Sequence, residues 1–194
     1  MLNLTIRKGS TLNWVLRPEQ STQKYVPIQR IDRSAPMRIH VDNHGMLDGW
    51  RFLITGVRGM TQVNARNTPP KAGDYYRAVV LDASTIEVNK VNSRDYGEYV
   101  RGGVVQYSLP MDLTGYSARA QIRPSTDSSD VILDLTSYVT IDVPACRVKF
   151  SVPATVTESI TARSGVYDVE LVDAAGVVVA LPLGGVTFID EVTR

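Results

Sequence analysis

The sequence has little of several residue types that many functions require. Its 194 residues include two histidines and a single cysteine, Cys146. One cysteine cannot form an intrachain disulfide, which favours folding in a reducing cytoplasm. No histidine lies near Cys146 in sequence, so we expect a packed thiol rather than a nucleophile. Neither a G-x-S-x-G motif nor a phosphate-binding glycine loop occurs. We therefore predict that the chain is not an enzyme and needs no cofactor and no metal ion.

The chain also lacks a surplus of charge and any long apolar run. Its formal net charge is +1, which provides no bulk attraction to nucleic acid or to an anionic membrane. No apolar run approaches the ~20 residues of a membrane span. The first ten residues, MLNLTIRKGS, lack the apolar region of a signal peptide. We expect neither a nucleic-acid partner nor a membrane partner.

Helix signals are scarce, and most of the chain has the pattern of short strands. Only PATVTESITARSG, at 153–165, could hold a helical turn, with Pro153 suited to its first position. In GVYDVELVD, apolar residues alternate with acidic ones, as in a half-buried strand. Two further runs, VVVALPL and VTFIDEV, follow after the turns DAAG and GG and predict an antiparallel meander. Other predicted strands are Ser117–Ile122, Val131–Leu135 and Arg147–Val152.

The distribution of turn residues divides the chain into three parts. Residues 1–26 contain two predicted strands, Leu2–Ile6 and Thr11–Leu16. Residues 27–107 are polar and rich in turns, whereas 108–194 return to alternating strands. Because two strands alone cannot bury a hydrophobic face, we predict that the first and last parts form one discontinuous domain. The middle part would then be an inserted domain with its two ends close together.

Five segments, taken in order, resemble one family of viral proteins. They are IRKGSTLNWVLR, MDLTGYSARAQIRPS, VILDLTS, VKFSVPATVTESI and GVYDVELVDAAGVVVALPLGGVTFIDEVTR. Together they resemble the β-sandwich domain of tailed-phage tail-fibre collar and related tail proteins, over residues 1–24 and 110–194. The order of the five segments carries this resemblance, since none of them is distinctive alone.

The middle of the chain resembles a second, smaller domain. DGWRFLITGVRGMTQVNARN and YYRAVVLDASTIEVNKVNSRDYGEYVRGGVV are similar to a small β-barrel, the first catalytic-cysteine half-domain of ubiquitin-activating enzymes, which recurs in phage tail proteins. The segment contains no cysteine, so the resemblance implies no ubiquitin chemistry. The loop TPPKAGDY, at 68–75, departs from the compact form of that pattern. The matching positions are structural ones: Gly56, Gly59, Asn64, Thr85, Ile86, Glu87, Tyr96, Tyr99, Gly102 and Gly103.

The two resemblances imply an all-β fold and a structural role. The fold would be an immunoglobulin-like β-sandwich, formed by 1–26 and 108–194, interrupted by an inserted small β-barrel of residues 27–107. The implied function is that of a structural virion protein of a bacteriophage tail, which forms a collar or ring by symmetric self-assembly. The expected partners are further copies of the chain and other tail proteins of the tube, tip or fibre. The protein would be made in the host cytoplasm and reside in the virion.

Tyrosine and arginine side chains in the middle of the chain are the candidates for protein contact. The stretch RDYGEYVRGG mixes the two residue types, which occurs in protein interfaces and in RNA binding. The absence of a basic run favours protein contact. The candidate contact residues are Tyr75, Tyr76, Arg94, Tyr96, Tyr99 and Arg101.

Two motifs raise metal binding as an alternative. In IHVDNHG, an extended backbone would place His40, Asp42 and His44 on one face, where they could bind Zn²⁺ in a metal-dependent enzyme. The turn-forming NHG favours a polar strand or loop instead. The acidic residues of DSSD, at 127–130, and Asp134 offer oxygen ligands for Ca²⁺. The glycine and glutamate of a calcium loop are absent, so a hairpin loop with Asx-type turns is the favoured interpretation.

Carbohydrate chemistry is the remaining alternative. A carbohydrate-binding module for host-surface recognition would need coplanar aromatic rings on a concave face. The candidates for that platform are Trp50, Tyr75 and Tyr76. The acidic side chains Asp168, Glu170 and Asp173 lie on one predicted strand and its turn. Glycosidases need two carboxyl groups facing each other across a cleft, so we expect these three to maintain solubility.

Overall fold

The structure, a computed structural model, describes residues 3–181 and 183–192. Strands account for 44% of the residues and helices for 7%, which confirms the predicted all-β class. Leu2, which begins the first predicted strand, lies outside the described residues. So do Pro182, within the predicted VVVALPL strand, and residues 193–194 of the closing motif.

The described residues form 17 strands and one short helix, α1 (Ala154–Glu158). Three single 3₁₀ turns lie at Thr61–Val63, Ala72–Asp74 and Thr136–Tyr138. The strands are β1 (Leu4–Arg7), β2 (Leu12–Leu16), β3 (Glu19–Pro27), β4 (Arg30–Asp32), β5 (Met37–His40), β6 (Arg51–Thr55), β7 (Tyr76–Arg77), β8 (Val79–Val80), β9 (Thr85–Val88), β10 (Val104–Pro110), β11 (Ser117–Arg123), β12 (Leu133–Asp134), β13 (Val139–Asp142), β14 (Arg147–Val152), β15 (Ser164–Val172), β16 (Val178–Ala180) and β17 (Gly184–Ile189).

The chain divides into two compact units. Unit 1 comprises Met1–Pro18 and Asp112–Arg194, and unit 2 comprises Glu19–Met111. Unit 1 contains a six-stranded sheet in the order β1-β17-β15-β11-β12, with β16 beside β15. Its second sheet has the order β13-β14-β2. In the larger sheet β1 runs parallel to β17, although the two strands come from opposite ends of the described chain.

The core of unit 1 lies between its two sheets. Phe150 of β14 and Tyr167 of β15 are each about 1% exposed, because the period-two pattern of both strands directs their apolar residues inward. Trp14 of β2 stacks on the Phe150 ring at 4.8 Å and meets the Tyr167 ring edge-on at 4.9 Å. The aromatic contacts therefore join the two sheets in the manner of a β-sandwich.

We predict that Trp14→Ala lowers the free energy of unfolding by about 3 kcal/mol, because both ring contacts are lost. The value lies at the lower end of the range for aromatic truncation, since Trp14 is half-buried rather than enclosed. Urea denaturation followed by circular dichroism measures the change, with Trp14→Phe as the control that keeps a stacked ring. Identical midpoints for the parent and Trp14→Ala would show that Trp14 lies outside the core.

Unit 2 is built from two four-stranded sheets. Their orders are β3-β10-β6-β7 and β4-β5-β9-β8. Fully buried side chains of both sheets form its core, including Phe52 of β6, Ile39 of β5 and Ile86 of β9. The predicted small β-barrel is not found, because the described strands form two open sheets and no closed barrel. The alternating pattern identifies which face of a strand is buried, but barrel closure depends on which strands pair.

The β3–β10 ladder fixes where the inserted segment begins and ends. Tyr25 pairs with Gln106 and Lys24 with Tyr107, so the two stretches that flank the predicted insertion run antiparallel. Both strands belong to unit 2, however, so its limits are Glu19–Met111 rather than 27–107. Glu19 pairs with Pro110 at the far end of the same ladder, which brings the two ends of the segment side by side.

Candidate functional site

Tyr75 and Tyr76 of the predicted contact set lie in unit 2 and are both half-buried. The Arg51 guanidinium covers the Tyr75 ring at 5.0 Å from its centroid. The hydrogen bond from Arg51 to Glu19 raises the pKa of that guanidinium, which is held by bonds of 2.6 and 2.8 Å to the two carboxylate oxygens. The Tyr76 hydroxyl donates to the Val63 carbonyl oxygen at 3.0 Å, and burial raises its pKa. Both tyrosines therefore make internal contacts.

Tyr96 and Tyr99 are also half-buried. The Tyr99 hydroxyl lies 2.9 Å from the carbonyl oxygen of Ile28 and 3.1 Å from that of Gly102, and it donates to these acceptors. The Tyr96 amide donates to the Ser93 carbonyl oxygen in a turn. Tyr99 thus ties the 97–103 segment to the chain near Ile28. Both rings leave only part of their surface for a partner.

Arg94 and Arg101 are the exposed members of the predicted contact set. Their guanidinium groups make no hydrogen bond or ion pair with any residue that the structure describes. Arg101 lies opposite Arg58 in an antiparallel bridge, so two cations stand side by side. Val100, between Tyr99 and Arg101, is 67% exposed. The sequence did not indicate Val100, because an isolated valine in a turn-rich segment belongs to no periodic pattern.

Glycines hold the exposed segment of Val100 and Arg101 in a fixed position. Gly59 has a φ of +90°, and a Cβ atom there would lie 2.0 Å from the Glu98 carbonyl oxygen. The two backbones therefore approach each other too closely for any side chain at this position. The Asn64 side chain bonds both the amide and the carbonyl of Val57, each at 2.9 Å, which secures the neighbouring turn. The backbone that carries Val100 and Arg101 is therefore held in one conformation by its neighbours.

The two histidines and Asp42 do not form a metal site. His40 Nε2 lies 2.8 Å from Asp32 Oδ2 and 2.8 Å from Arg30 Nη2, at the end of β5. His44 is buried and uses both ring nitrogens: Nδ1 accepts the Met46 amide and Nε2 bonds the Asp82 carbonyl oxygen. The proposed shared face is wrong, because β5 ends at His40 and a turn follows. Among the described residues, no three His, Cys, Asp or Glu side chains gather as a metal-binding group.

The clustered acidic residues serve turns and ion pairs. Asp173 Oδ1 accepts the amides of Ala175 and Val177 and so closes the DAAG turn. In the 127–130 loop, the Asp130 amide donates to the Ser128 hydroxyl, and Asp134 accepts the Thr136 amide. The turn within 127–130 is therefore capped by a serine rather than by the predicted Asx side chain, and the Asx-type turn lies at Asp134.

A groove of about 820 Å³ lies over the polar face of β11 and β15 in unit 1. The Arg119–Glu170 ion pair, with Nε and Oε2 2.5 Å apart, forms part of its lining. Asp168 and Glu170 are two residues apart on one strand, so they do not face each other across the groove. Arg123 donates to the Gln121 side-chain oxygen and to the Ser128 carbonyl. Among the described residues that line it, the groove offers polar contacts but no opposed carboxyl pair for acid–base chemistry.

The aromatic platform proposed for carbohydrate binding is not assembled. Trp50 is 0% exposed, and its indole N–H donates to the Ser108 carbonyl oxygen at 2.8 Å. It is therefore a core residue of unit 2 and cannot stack on a sugar. Tyr75 is covered by Arg51, as described above, and Tyr76 bonds inward.

The sequence matches no family model, and no curated protein matches it either. No helix in the described part of the chain is long and apolar enough to cross a membrane.

The buried carboxylate of Asp74 in unit 2 accepts several hydrogen bonds within the 66–74 loop. Asp74 accepts the backbone amides of Arg66 and Lys71 at 2.9 and 2.8 Å and the Asn67 side-chain amide at 2.9 Å. The bond from the Arg66 amide, followed by the bonds from Lys71 and Asn67, lowers the pKa of Asp74. A lowered folded-state pKa stabilises the fold above the unfolded pKa of about 3.9. This stabilisation is lost as the pH falls through the lower folded-state value.

We expect Asp74→Ala to have a lower Tm than the parent at neutral pH. This difference in Tm should become smaller as the pH falls below about 4. Thermal melts at a series of pH values measure this gap. Asp95→Ala is the control, because Asp95 is exposed and its carboxylate bonds none of the described residues. A gap that stays constant down to pH 2 would contradict the role given to the Asp74 carboxylate.

Proposed function

We propose that the chain is a structural subunit of a bacteriophage tail, where it forms a collar or ring by symmetric self-assembly and attaches fibres or tip proteins. The main support is the placement of the five segments that resemble tail-fibre collar proteins. All five contribute strands to unit 1, namely β1 and β2, β11, β12, β14, and β15 to β17. Segments scattered through the sequence thus build one compact domain, as the resemblance requires.

The exposed side chains of unit 2 support a role in binding other proteins. Val100, Arg94 and Arg101 are exposed, and both guanidinium groups lack a carboxylate partner among the described residues. Arginine is enriched at protein interfaces and among the residues that contribute most to binding. In the proposed tail, unit 1 supplies the β-sandwich scaffold and unit 2 supplies a contact to a neighbouring subunit or to another tail protein.

Assembly is tested first with the purified full chain. Light scattering coupled to size-exclusion chromatography should give a mass of two or more chains, each of 21.4 kDa. Arg101→Glu should weaken association or the binding of a second tail protein, whereas Arg7→Glu, an exposed change in unit 1, serves as the control. A chain that remains monomeric at all concentrations contradicts self-assembly.

Location is tested on virions. Antibodies against unit 2 should label the tail in negative-stain electron micrographs of phage particles. Mass spectrometry of purified particles should find the chain in multiple copies. Its absence from particles, or labelling confined to the capsid, would contradict the proposed function.

A further inference from the structure

Two arginines of unit 2 lie directly opposite each other, and neither is neutralised. The Arg58 amide donates to the Arg101 carbonyl oxygen at 3.0 Å, and the Arg101 amide donates to the Arg58 carbonyl oxygen at 3.4 Å. Residues opposed in this way project to the same face. Both residues are exposed, and neither guanidinium bonds a carboxylate of the described chain. Like charges directly opposite each other are destabilising, so the pair weakens the fold that carries it.

The backbone beneath the two arginines is tightly packed. The close approach seen at Gly59 is matched on the other side, because a Cβ atom at Gly97 would lie 2.7 Å from the Gly59 carbonyl oxygen. The two segments therefore hold the arginines together, although this costs stability. Natural proteins depart from favourable local pairing mainly at functional sites. We therefore expect a partner to supply the missing negative charge.

The two units of the chain have opposite net charges. Unit 2, Glu19–Met111, has twelve lysines and arginines against nine aspartates and glutamates, which gives a formal net charge of +3. Unit 1 has nine against eleven, which gives −2 and accounts for the +1 of the whole chain. Complementary charge favours a contact between unit 2 of one copy and unit 1 of another over a contact between two like units.

The 127–130 loop of unit 1 presents two unpaired carboxylates. Asp127 and Asp130 are exposed, and neither carboxylate bonds any residue that the structure describes. The loop itself is held in place, because Arg123 Nη1 donates to the Ser128 carbonyl oxygen at 2.8 Å. The Asp130 amide also donates to the Ser128 hydroxyl at 3.1 Å. Two free carboxylates on a fixed turn thus match two free guanidinium groups on a fixed bridge.

We propose that Arg58 and Arg101 of one copy of the chain bind Asp127 and Asp130 of a second copy. Each guanidinium donates charge-assisted hydrogen bonds to carboxylate oxygens, for which its planar donor geometry is suited. A nucleic-acid phosphate is disfavoured as the partner, because affinity for a polyanion requires many cationic contacts and the chain has no basic run. The acidic loop, by contrast, is present in every copy.

This inference rests on the proposed self-assembly and names the residues that produce it. The two surfaces differ, so each copy offers its arginines to one neighbour and its acidic loop to another. A contact of this kind continues from copy to copy, and it closes into a ring where the rotation between neighbours allows it.

The first test reverses one charge at a time in the full chain. Arg101→Glu and Asp130→Lys should each raise the dissociation constant of the assembly at least about tenfold in analytical ultracentrifugation. Lys90→Glu and Glu158→Lys are the matched controls, since they make the same charge changes at exposed, unbonded positions of the same two units and should leave association unchanged. In the dilute monomer, Arg101→Glu should raise the Tm by a few degrees, because opposite charges then face each other at the bridge.

The second test exchanges the charges between copies. A chain with Arg58→Glu and Arg101→Glu should not associate with itself, and neither should a chain with Asp127→Lys and Asp130→Lys. An equimolar mixture of the two chains should associate, because every contact between unlike chains then joins opposite charges. A change of net charge alone cannot produce this recovery.

The third test identifies the contact directly. Arg101→Lys keeps the positive charge and introduces an amine, which a carbodiimide can join to a carboxylate in contact with it. The cross-linked peptide should contain Asp127 or Asp130. In a mixture of isotope-labelled and unlabelled chains, this peptide should join one labelled and one unlabelled half, as a link between copies requires.

The outcomes separate this inference from the proposed function. Recovery in the mixed sample, together with the cross-link between copies, supports the contact. Association that neither single reversal weakens overturns the contact and leaves self-assembly standing. Association that the arginine reversal weakens, but that the mixture does not restore, overturns the 127–130 loop as the partner. A wild-type chain that stays monomeric at every concentration overturns both this inference and self-assembly.

Discussion

Replacing Trp50 with alanine should lower the free energy of unfolding by about 3–5 kcal/mol, a large share of the stability of a small domain. Trp50 is among the largest fully buried side chains and lies in the core of unit 2. The change leaves a cavity that the surrounding core cannot fully close by relaxing. It also leaves the Ser108 carbonyl oxygen without the indole donor that it now has at 2.8 Å.

Trp50→Phe separates the two contributions. Phenylalanine keeps much of the apolar volume but removes the indole N–H, so it should cost about 1–3 kcal/mol. The two tryptophans lie in different units, which gives each unit its own fluorescent reporter. With Trp50 removed, Trp14 reports on unit 1, and Trp14→Phe leaves Trp50 to report on unit 2. A Trp50→Ala protein with an unchanged denaturation midpoint would contradict the core assignment.

Excising residues 19–111 and joining Pro18 to Asp112 through an Asn-Gly turn should leave unit 1 folded. Glu19 and Pro110 are paired in one ladder, so a two-residue turn spans the gap that the segment leaves. Unit 1 keeps both of its sheets, including the Trp14, Phe150 and Tyr167 contacts. We expect a single cooperative thermal transition and native-like tryptophan fluorescence.

A shorter excision is the matched control. Removing 27–105 keeps most of β3 and part of β10 without the other strands of their sheet. A two-stranded hairpin is marginal in water, so this protein should carry an unstable, aggregation-prone stub. Calorimetry and light scattering compare the two proteins. If the 19–111 excision is molten while the 27–105 excision folds cooperatively, strands of unit 2 belong to the core of unit 1.

The alternating pattern predicted most strands of unit 1, because it depends on only one buried face. Arg147–Val152 has the same limits in sequence and structure, and Ser117–Ile122 ends one residue short of β11. The pattern does not tell which strands are neighbours. β3 pairs with β10, which also pairs with β6, so β3 belongs to unit 2, and neither Glu19 nor Gln20 carries a signal for that choice. Because the pattern does not show which strands pair, the sequence predicted a barrel where the structure has two open sheets.

Candidate contact residues were harder to judge, because tyrosine and tryptophan are suited to both core and surface. The sequence could not show that Trp50 is enclosed or that the Tyr76 hydroxyl bonds the Val63 carbonyl oxygen. The exposed Tyr25 did have a signal, since it alternates with the buried Val26 in a strand. The placement of His44 depended on a turn that follows β5, which the NHG stretch had indicated.

The parallel pairing of β1 with β17 determines the order in which the chain can fold during synthesis. Leu4 meets Val186 in this ladder, so the first strand must wait for almost the whole chain before its partner exists. At about 5–20 residues per second, the delay is roughly 10–40 seconds. The strands of Glu19–Met111 are contiguous and can fold within that interval. Until then β1, with the apolar side chains of Leu4 and Ile6, has no strand to pair with.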